Sequence, residues 1–376
     1  MKILVAAETD VEPRVAATPE TVKKLVSFGA EVTVEPGAGL KSGIPDAQYA
    51  ESGGFVRQGT AADADVVLKV RRPTPAELSG YKTGAIVLAI MDPYGNAAAL
   101  KQMAGAGIVA FAMDLMPRIT RAQSMDVLSS QANLAGYRAV IDASAEYGRA
   151  LPMMMTAAGT VPAAKVFVMG VGVAGLQAIA TARRLGGVVT ATDVRPAAKE
   201  QVQSLGAKFI AVEDDEFKQA ETAGGYAKEM SRAYQAKQAA LVAEHIRKQD
   251  IVITTALIPG RPAPKLVSAE MVASMRPGSV LVDLAVERGG NVEGSKPGEV
   301  AIVNGVKIVG FLNVAGRLAA SSSALYAKNL LTFLETMIDK KERRLAIDWE
   351  DEIVKNTALT REGAVIHPDF KSMTAA

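Results

Sequence analysis

A chain of 376 residues, 49% of them hydrophobic and with a formal net charge of +2, is long enough for two domains with full cores. The near-neutral balance argues against a nucleic-acid binder, which would carry a clustered basic face, and no run approaches the ~18 apolar residues of a membrane span. The absence of cysteine excludes disulfides, thiolate catalysis and cysteine metal sites and fits a cytosolic protein, while two histidines, both incidental by their context, argue against metal catalysis on ligand supply.

The opening "MKILVAAETD" reads as a strand and a loop, with no signal-peptide h-region or cleavage site. "TPETVKKLVSFG" predicts a helix with Thr18 as N-cap, Pro19 in the first turn, Glu20 early and Gly29 closing it. "AEVTVEPG", "ADVVLKV", "GAIVLAI" and "GIVAFAM" continue as strands. Strands alternating with helices predict a parallel sheet with right-handed crossovers. "MDVLSSQANLAGYRAVIDASAEYGRAL" is a long helical pattern without proline, leading to a second module that begins near "VPAAKVFVMGVG". There "VVTATD", "KFIAV", "DIVITTAL", "SVLVDLA" and "VKIVGF" suit buried parallel strands. "SSSALYAKNLLTFLETMI" is a second long helix, before the tail "TREGAVIHP". The pattern predicts an α/β protein whose first domain is interrupted, residues 1–128 with 320–376, around a second of residues 129–319. Neither histidine looks functional: His245 is assigned to the polar face of a helix and His367 to the region near the C-terminus.

"KVFVMGVGVAGLQAIATARRLGGVVTATD" carries the strongest motif. Gly170, Gly172 and Gly175 form G-x-G-x-x-G between a strand and a helix, and the next strand ends in Asp193. Gly170 permits the tight turn, Gly172 lets the backbone approach a pyrophosphate, and Gly175 lets helix and strand pack closely. The helix N-terminus favours the diphosphate, and Asp193 can accept from a ribose 2′-OH. A carboxylate repels a 2′-phosphate, so the site is expected to take NAD(H) rather than NADP(H). Arg195 is a contrary signal, because arginine can receive a 2′-phosphate.

A second stretch, "MPRITRAQSMDVLSS", is polar but holds no His, Cys or Lys. With "PMMMTAAGTVPAAKVFVMGVGVAGLQAIATA", "AETAGGYAKEM" and "VITTALIPGRPAP", it resembles the NAD(H)-binding component, domain I, of proton-translocating nicotinamide nucleotide transhydrogenase, over nearly the whole chain. The resemblance implies two Rossmann-like doubly wound domains, separated by a cleft and linked by two long helices, in a homodimer. It implies NAD(H) on this chain, NADP(H) on a partner subunit, and further membrane-spanning subunits that move protons and hold the chain at the cytoplasmic side of the inner membrane. By the same resemblance, Arg118, Gln123, Asp126 and Ser129 hold the nicotinamide end, with Gln123 reaching towards the second nucleotide. Ile119, Thr120, Arg121, Val173, Asp193, Val194, Arg195, Gly225, Tyr226, Gln238 and Leu257 line the dinucleotide site, and the loop of Gly225 and Tyr226 closes over it. A structural reading of Gln123 and Ser129, as first-turn bonding of the long helix, stands beside this.

Alanine dehydrogenase is the wider relative. Arg14 and Lys69 resemble its substrate-binding pair, and Glu287 stands where it has a catalytic Asp. Its catalytic His would fall in "LAIMDPYGN", which has none. The chemistry agrees with that gap. Oxidising an amino acid removes a hydride and a proton, so the site needs a general base. Passing a hydride between two nicotinamides releases no proton locally and needs only alignment and exclusion of water. A stand-alone amino-acid dehydrogenase and a non-catalytic NAD-sensing module are the competing expectations.

Overall fold

The computed structural model describes residues 1–9, 11–58, 61–219, 230–258 and 260–372. The chain folds as two compact units, Met1–Gln131 with Ala315–Ala376, and Ala132–Val314. No helix among the described residues is long and apolar enough to cross a membrane.

The first unit is built on six parallel strands: β1 Lys2–Val5, β2 Glu31–Val34, β3 Phe55–Val56, β4 Val66–Arg71, β5 Ile86–Ile90 and β6 Val109–Ala112. Their order, β3-β2-β1-β4-β5-β6, reverses direction between β1 and β4, which is the Rossmann arrangement. Successive residues of one strand feed opposite faces. Ile3, Val5, Val66 and Leu68 enter one core, Leu4 and Val67 the other. Both faces are covered, so these strands read as unbroken apolar runs. The helix Ala319–Glu335 belongs here because its buried stripe, Tyr326, Leu330, Phe333 and Leu334, packs in the first of these cores. Thr18 caps the helix Pro19–Ser27 as expected, through a reciprocal bond with Thr21, and Gly29 follows at φ +87°.

The second unit holds β7 Lys165–Met169, β8 Val188–Thr192, β9 Lys208–Phe209, β10 Ile251–Thr254, β11 Val280–Asp283, β12 Val300–Val303 and β13 Val306–Val309. The order is β9-β8-β7-β10-β11-β13-β12, parallel except for β12, which runs antiparallel to β13. That edge hairpin is an addition to the strands expected from sequence, although its signal is present. Asn304 and Gly305, at φ +49° and +77°, are the Asn-Gly pair that closes a two-residue hairpin. A second unexpected hairpin, Met154–Thr156 with Gly159–Val161, is exposed along most of its length.

His245 corrects one expectation. It is half-buried, with its ring edge-on to Phe167 at 4.8 Å and Nε2 at 2.9 Å from Thr190 Oγ1. Burial, with Lys248 and Lys208 nearby, lowers its pKa. One turn of helix brings position 245 back towards the sheet, beside Val242 and Ile246. His367 is buried and caps the short helix Pro368–Lys371, donating from Nε2 to the Asn356 carbonyl at 3.0 Å.

Candidate dinucleotide-binding site

At the end of β7 the chain turns sharply at Gly170, whose φ is +98°. A Cβ there would lie 2.6 Å from Thr255 Oγ1, which itself donates to the Gly170 carbonyl at 3.0 Å. Gly172 is the N-cap of the helix Val173–Arg184 and offers no side-chain cap, so the first-turn amides have no side-chain acceptor. Its chain neighbours aside, no atom of the described residues lies within 4 Å of where its Cβ would be. Gly175 is the opposite case, since a Cβ there would overlap the Gly170 carbonyl oxygen. Turn, open approach and tight crossing are thus distributed over the three glycines as their spacing predicts. The residues present fit a diphosphate, with free amides, a helix dipole and an unfilled approach.

Gly136 supports this loop from behind, and no motif marks it in the sequence. It lies inside the helix Val127–Glu146, and a Cβ there would overlap the carbonyl of Ala174. A glycine within a helical run is unfavourable by about 1 kcal/mol unless close packing needs it; here it lets two helices touch backbone to backbone.

Asp193 follows β8, its side chain only 8% exposed. Oδ2 accepts from the Val171 amide at 2.7 Å, which ties the carboxylate to the glycine loop. Oδ1 accepts from the Arg195 amide at 2.9 Å. The Arg195 guanidinium then adds Nε to Oδ1 at 2.9 Å and Nη2 to Oδ2 at 3.0 Å. Beside them opens a cleft of about 540 Å³, lined by Gly170, Thr192, Asp193, Val194, Tyr234, Gln238, Lys265 and Leu266 among others. Gln238 is committed at both ends of its amide, accepting from the Val212 amide at 2.9 Å and donating to Thr192 Oγ1 at 3.1 Å. It shapes the wall more than it offers a free group. Val173, Val194 and Leu257 are apolar side chains left 41%, 47% and 53% exposed, surfaces suited to flat rings. Thr255, Lys265 and Asn291 carry no signal in the sequence. Asn291 ties the stretch after β10 to the one after β11, accepting from the Ala256 amide and donating to the Ala256 and Pro264 carbonyls. Gly225 and Tyr226 lie outside the described residues.

In the first unit, the stretch after β6 is a short 3₁₀ segment, Thr120–Met125, leading into the long helix. Arg118, Thr120 and Gln123 are exposed, and Ile119 packs partly into the core. Arg121 forms a two-pronged pair with Asp351 at 2.6 and 2.7 Å, so here its guanidinium fastens the segment. Asp126 starts the long helix, accepting from the Ser129 amide at 2.9 Å and hydroxyl at 2.5 Å. The first-turn bonding expected of Ser129 is therefore real, with Asp126 as its partner. Asn329 holds the segment by donating to the Ser124 carbonyl at 2.8 Å and accepting from Ser130 at 2.7 Å.

Arg14 and Lys69 are buried in the same unit, 3% and 1% exposed. Arg14 grips Glu12 with Nε and Nη2, both at 2.7 Å, and Gln131 with Nη1 at 2.8 Å. Lys69 meets Glu77 at 2.6 Å and Glu8 at 3.5 Å. Burial works to raise the pKa of Glu12, but Arg14 and Arg71 outweigh it and hold the carboxyl at about 2. Glu8 goes the other way, raised by burial. Glu287 is exposed in a one-turn helix.

The model of the N-terminal domain of the family described as alanine dehydrogenase/PNT matches residues 4–135, and that of its C-terminal domain residues 139–368. The chain belongs to that family. It is 55% identical to the first part of NAD(P) transhydrogenase subunit alpha of Rhodospirillum rubrum, over 98% of each chain. The protein of the same description in Rickettsia prowazekii is 47% identical over 98% of this chain and 96% of its own. A crystal structure of transhydrogenase from Sinorhizobium meliloti superposes with a TM-score of 0.90 at 67% identity, covering 97% of this chain and 100% of that one. Within the family the chain therefore sides with the transhydrogenase alpha subunits, which makes it a nucleotide-binding oxidoreductase subunit of Rossmann type.

Asp193 gives a direct test of the cleft. Asp193→Ser is expected to weaken NADH binding and to narrow the gap to NADPH, since both the hydroxyl acceptor and the repulsive charge go. Equilibrium titration with each nucleotide measures this, and an unchanged preference would place the ribose elsewhere.

Proposed function

We propose that this chain is the NAD(H)-binding subunit of a proton-translocating transhydrogenase. The observation that carries the proposal is the glycine loop with Asp193 at the end of the second strand, in one chain with a polar segment that holds no His, Cys or Lys and whose one carboxylate, Asp126, accepts from the Ser129 amide and hydroxyl. Bound NADH supplies a hydride to NADP+ held on a partner subunit. The first-turn amides of the helix Val173–Arg184 hold the diphosphate, Asp193 the ribose, and Val173, Val194 and Leu257 the flat faces of the nucleotide. Arg118, Gln123, Asp126 and Ser129 are assigned to the nicotinamide end, where their work is alignment rather than proton transfer. Proton movement belongs to membrane-spanning partner subunits, which hold this chain at the cytoplasmic side of the membrane. Met153, Met154 and Met155, exposed on and beside the hairpin Met154–Thr156, support a homodimer, because such apolar arms are commonly covered by another surface.

The buried ion pairs of Arg14 and Lys69 disfavour the stand-alone dehydrogenase. Both cations already face carboxylates of this chain, which leaves neither one open for a small acid. The test is to mix the chain with the NADP(H)-binding component and follow hydride transfer between NADH and an NADP+ analogue without membrane. Transfer should need both components, and the chain alone should not turn over alanine, or pyruvate with ammonia. Robust turnover of alanine by the chain alone would reverse the assignment. In the mixed system Gln123→Asn should slow transfer about 100-fold, the scale of a misplacement near 1 Å, with NADH affinity little changed. A parallel loss of both would make Gln123 an ordinary binding residue.

A further inference from the structure

The Asp193 carboxylate is already saturated. Two carboxylate oxygens offer about four acceptor positions, and four donors point at them: the Val171 amide, the Arg195 amide, Arg195 Nε and Arg195 Nη2. A ribose hydroxyl arriving at Asp193 finds each position in use. Two of the donors are backbone amides, which cannot leave without undoing the glycine loop or the turn after β8. The other two belong to a single side chain, 31% exposed, next in the chain to the cleft-lining Val194. Arg195 Nη2 also donates to the Val171 carbonyl at 3.1 Å, so the guanidinium bridges strand end and glycine loop.

We propose that Arg195 is a specificity-determining residue that acts as a displaceable internal competitor for the ribose position. This rests on the NAD(H) reading of the cleft. For NADH to bind, one or both guanidinium N–H groups must yield an Asp193 oxygen to the ribose hydroxyl. Arg195 thereby weakens NADH binding relative to an undisturbed carboxylate. For NADPH the same side chain works in the opposite sense. It neutralises Asp193 and offers a planar pair of donors to a phosphate. Arg195 therefore lowers the discrimination that Asp193 alone would impose. Asp193 provides the preference for a hydroxyl, and Arg195 sets how steep that preference is.

The test is titration of the full chain with NADH and NADPH, comparing wild type with Arg195→Met and Arg195→Lys. Methionine keeps much of the reach and apolar stem but has no donor. For Arg195→Met, NADH affinity should hold or rise by a few fold while NADPH affinity falls. The ratio of the two dissociation constants should widen about tenfold, an exposed-to-partly-buried charge contact or two. Arg195→Lys keeps the charge without the fork and should recover part of the wild-type ratio. Thermal melting of each variant separates these effects from misfolding, because a folding defect weakens both nucleotides together. A ratio that stays constant, or narrows, in folded Arg195→Met overturns the proposal and leaves Arg195 as a buttress of the turn. If wild type binds neither nucleotide, the reading of the cleft itself fails, a result distinct from a constant ratio.

Discussion

Gly175→Ala is expected to abolish nucleotide binding, with a loss beyond about 100-fold and a marked fall in melting temperature. The added Cβ would occupy the space of the Gly170 carbonyl oxygen. Both partners are backbone, so no side-chain rotation relieves the overlap. The helix Val173–Arg184 must lift from β7, and Gly136 packs against that same helix at Ala174. A misfit of this kind falls among the overpacking effects that cost about 1–3 kcal/mol or more. The control is one turn away. Gly172 has a φ of −80° that alanine accepts, and its Cβ would meet no atom of the described residues beyond its chain neighbours. Gly172→Ala should therefore fold with an unchanged melting temperature yet bind NADH more weakly, because the methyl group enters the space assigned to the diphosphate. Fluorescence titration and thermal melting of the two variants make the comparison. Normal NADH binding by Gly172→Ala would move the diphosphate away from this helix terminus.

Glu12→Gln should destabilise the protein at neutral pH by roughly 3 kcal/mol, and the deficit should shrink as the pH falls. A carboxyl held at about 2 in the folded chain, against 4.5 for the ordinary group, contributes in proportion to that difference, at about 1.4 kcal/mol per pH unit. Because the folded value is depressed, the contribution is complete above pH 4.5. It is lost progressively as the pH drops through the range down to about 2. Glutamine keeps one acceptor oxygen for Arg14 but not the charge, so its stability lacks this part of the pH dependence. Urea melts of both proteins at pH 7, 4.5 and 3 measure the gap. A gap that stays constant across that range would show that Glu12 is not held by charge. The residue also bears on function. Glu12 closes off the Arg14 side chain, one of the features that favour a dehydrogenase of small acids.

The amino-acid sequence by itself determined the alternation of strands and helices, the Thr18 cap, the turn at Gly170 and the close packing at Gly175. All of these are local. A cap acts over three residues, a strand fed from both faces reads as an apolar run, and a glycine fingerprint spans a single strand–turn–helix. The sequence also showed what was missing, since the polar segment after β6 has no His, Cys or Lys. The tertiary structure decided matters that depend on residues far apart in the chain. Arg121 meets Asp351, and Arg14 meets Gln131. No spacing rule connects such partners, so a cation that looks ready to grip a ligand in the sequence is occupied in the fold. His245 turns inward for the same reason, because the sheet that faces it lies elsewhere in the chain. Gly136 is a defect in a helix by local rules, and only the approach of Ala174 explains it. Asp193 shows the division most clearly. Its type and place at the strand end are legible from sequence, but its saturation by Arg195 and Val171 arises only when the turn after β8 folds back onto the glycine loop.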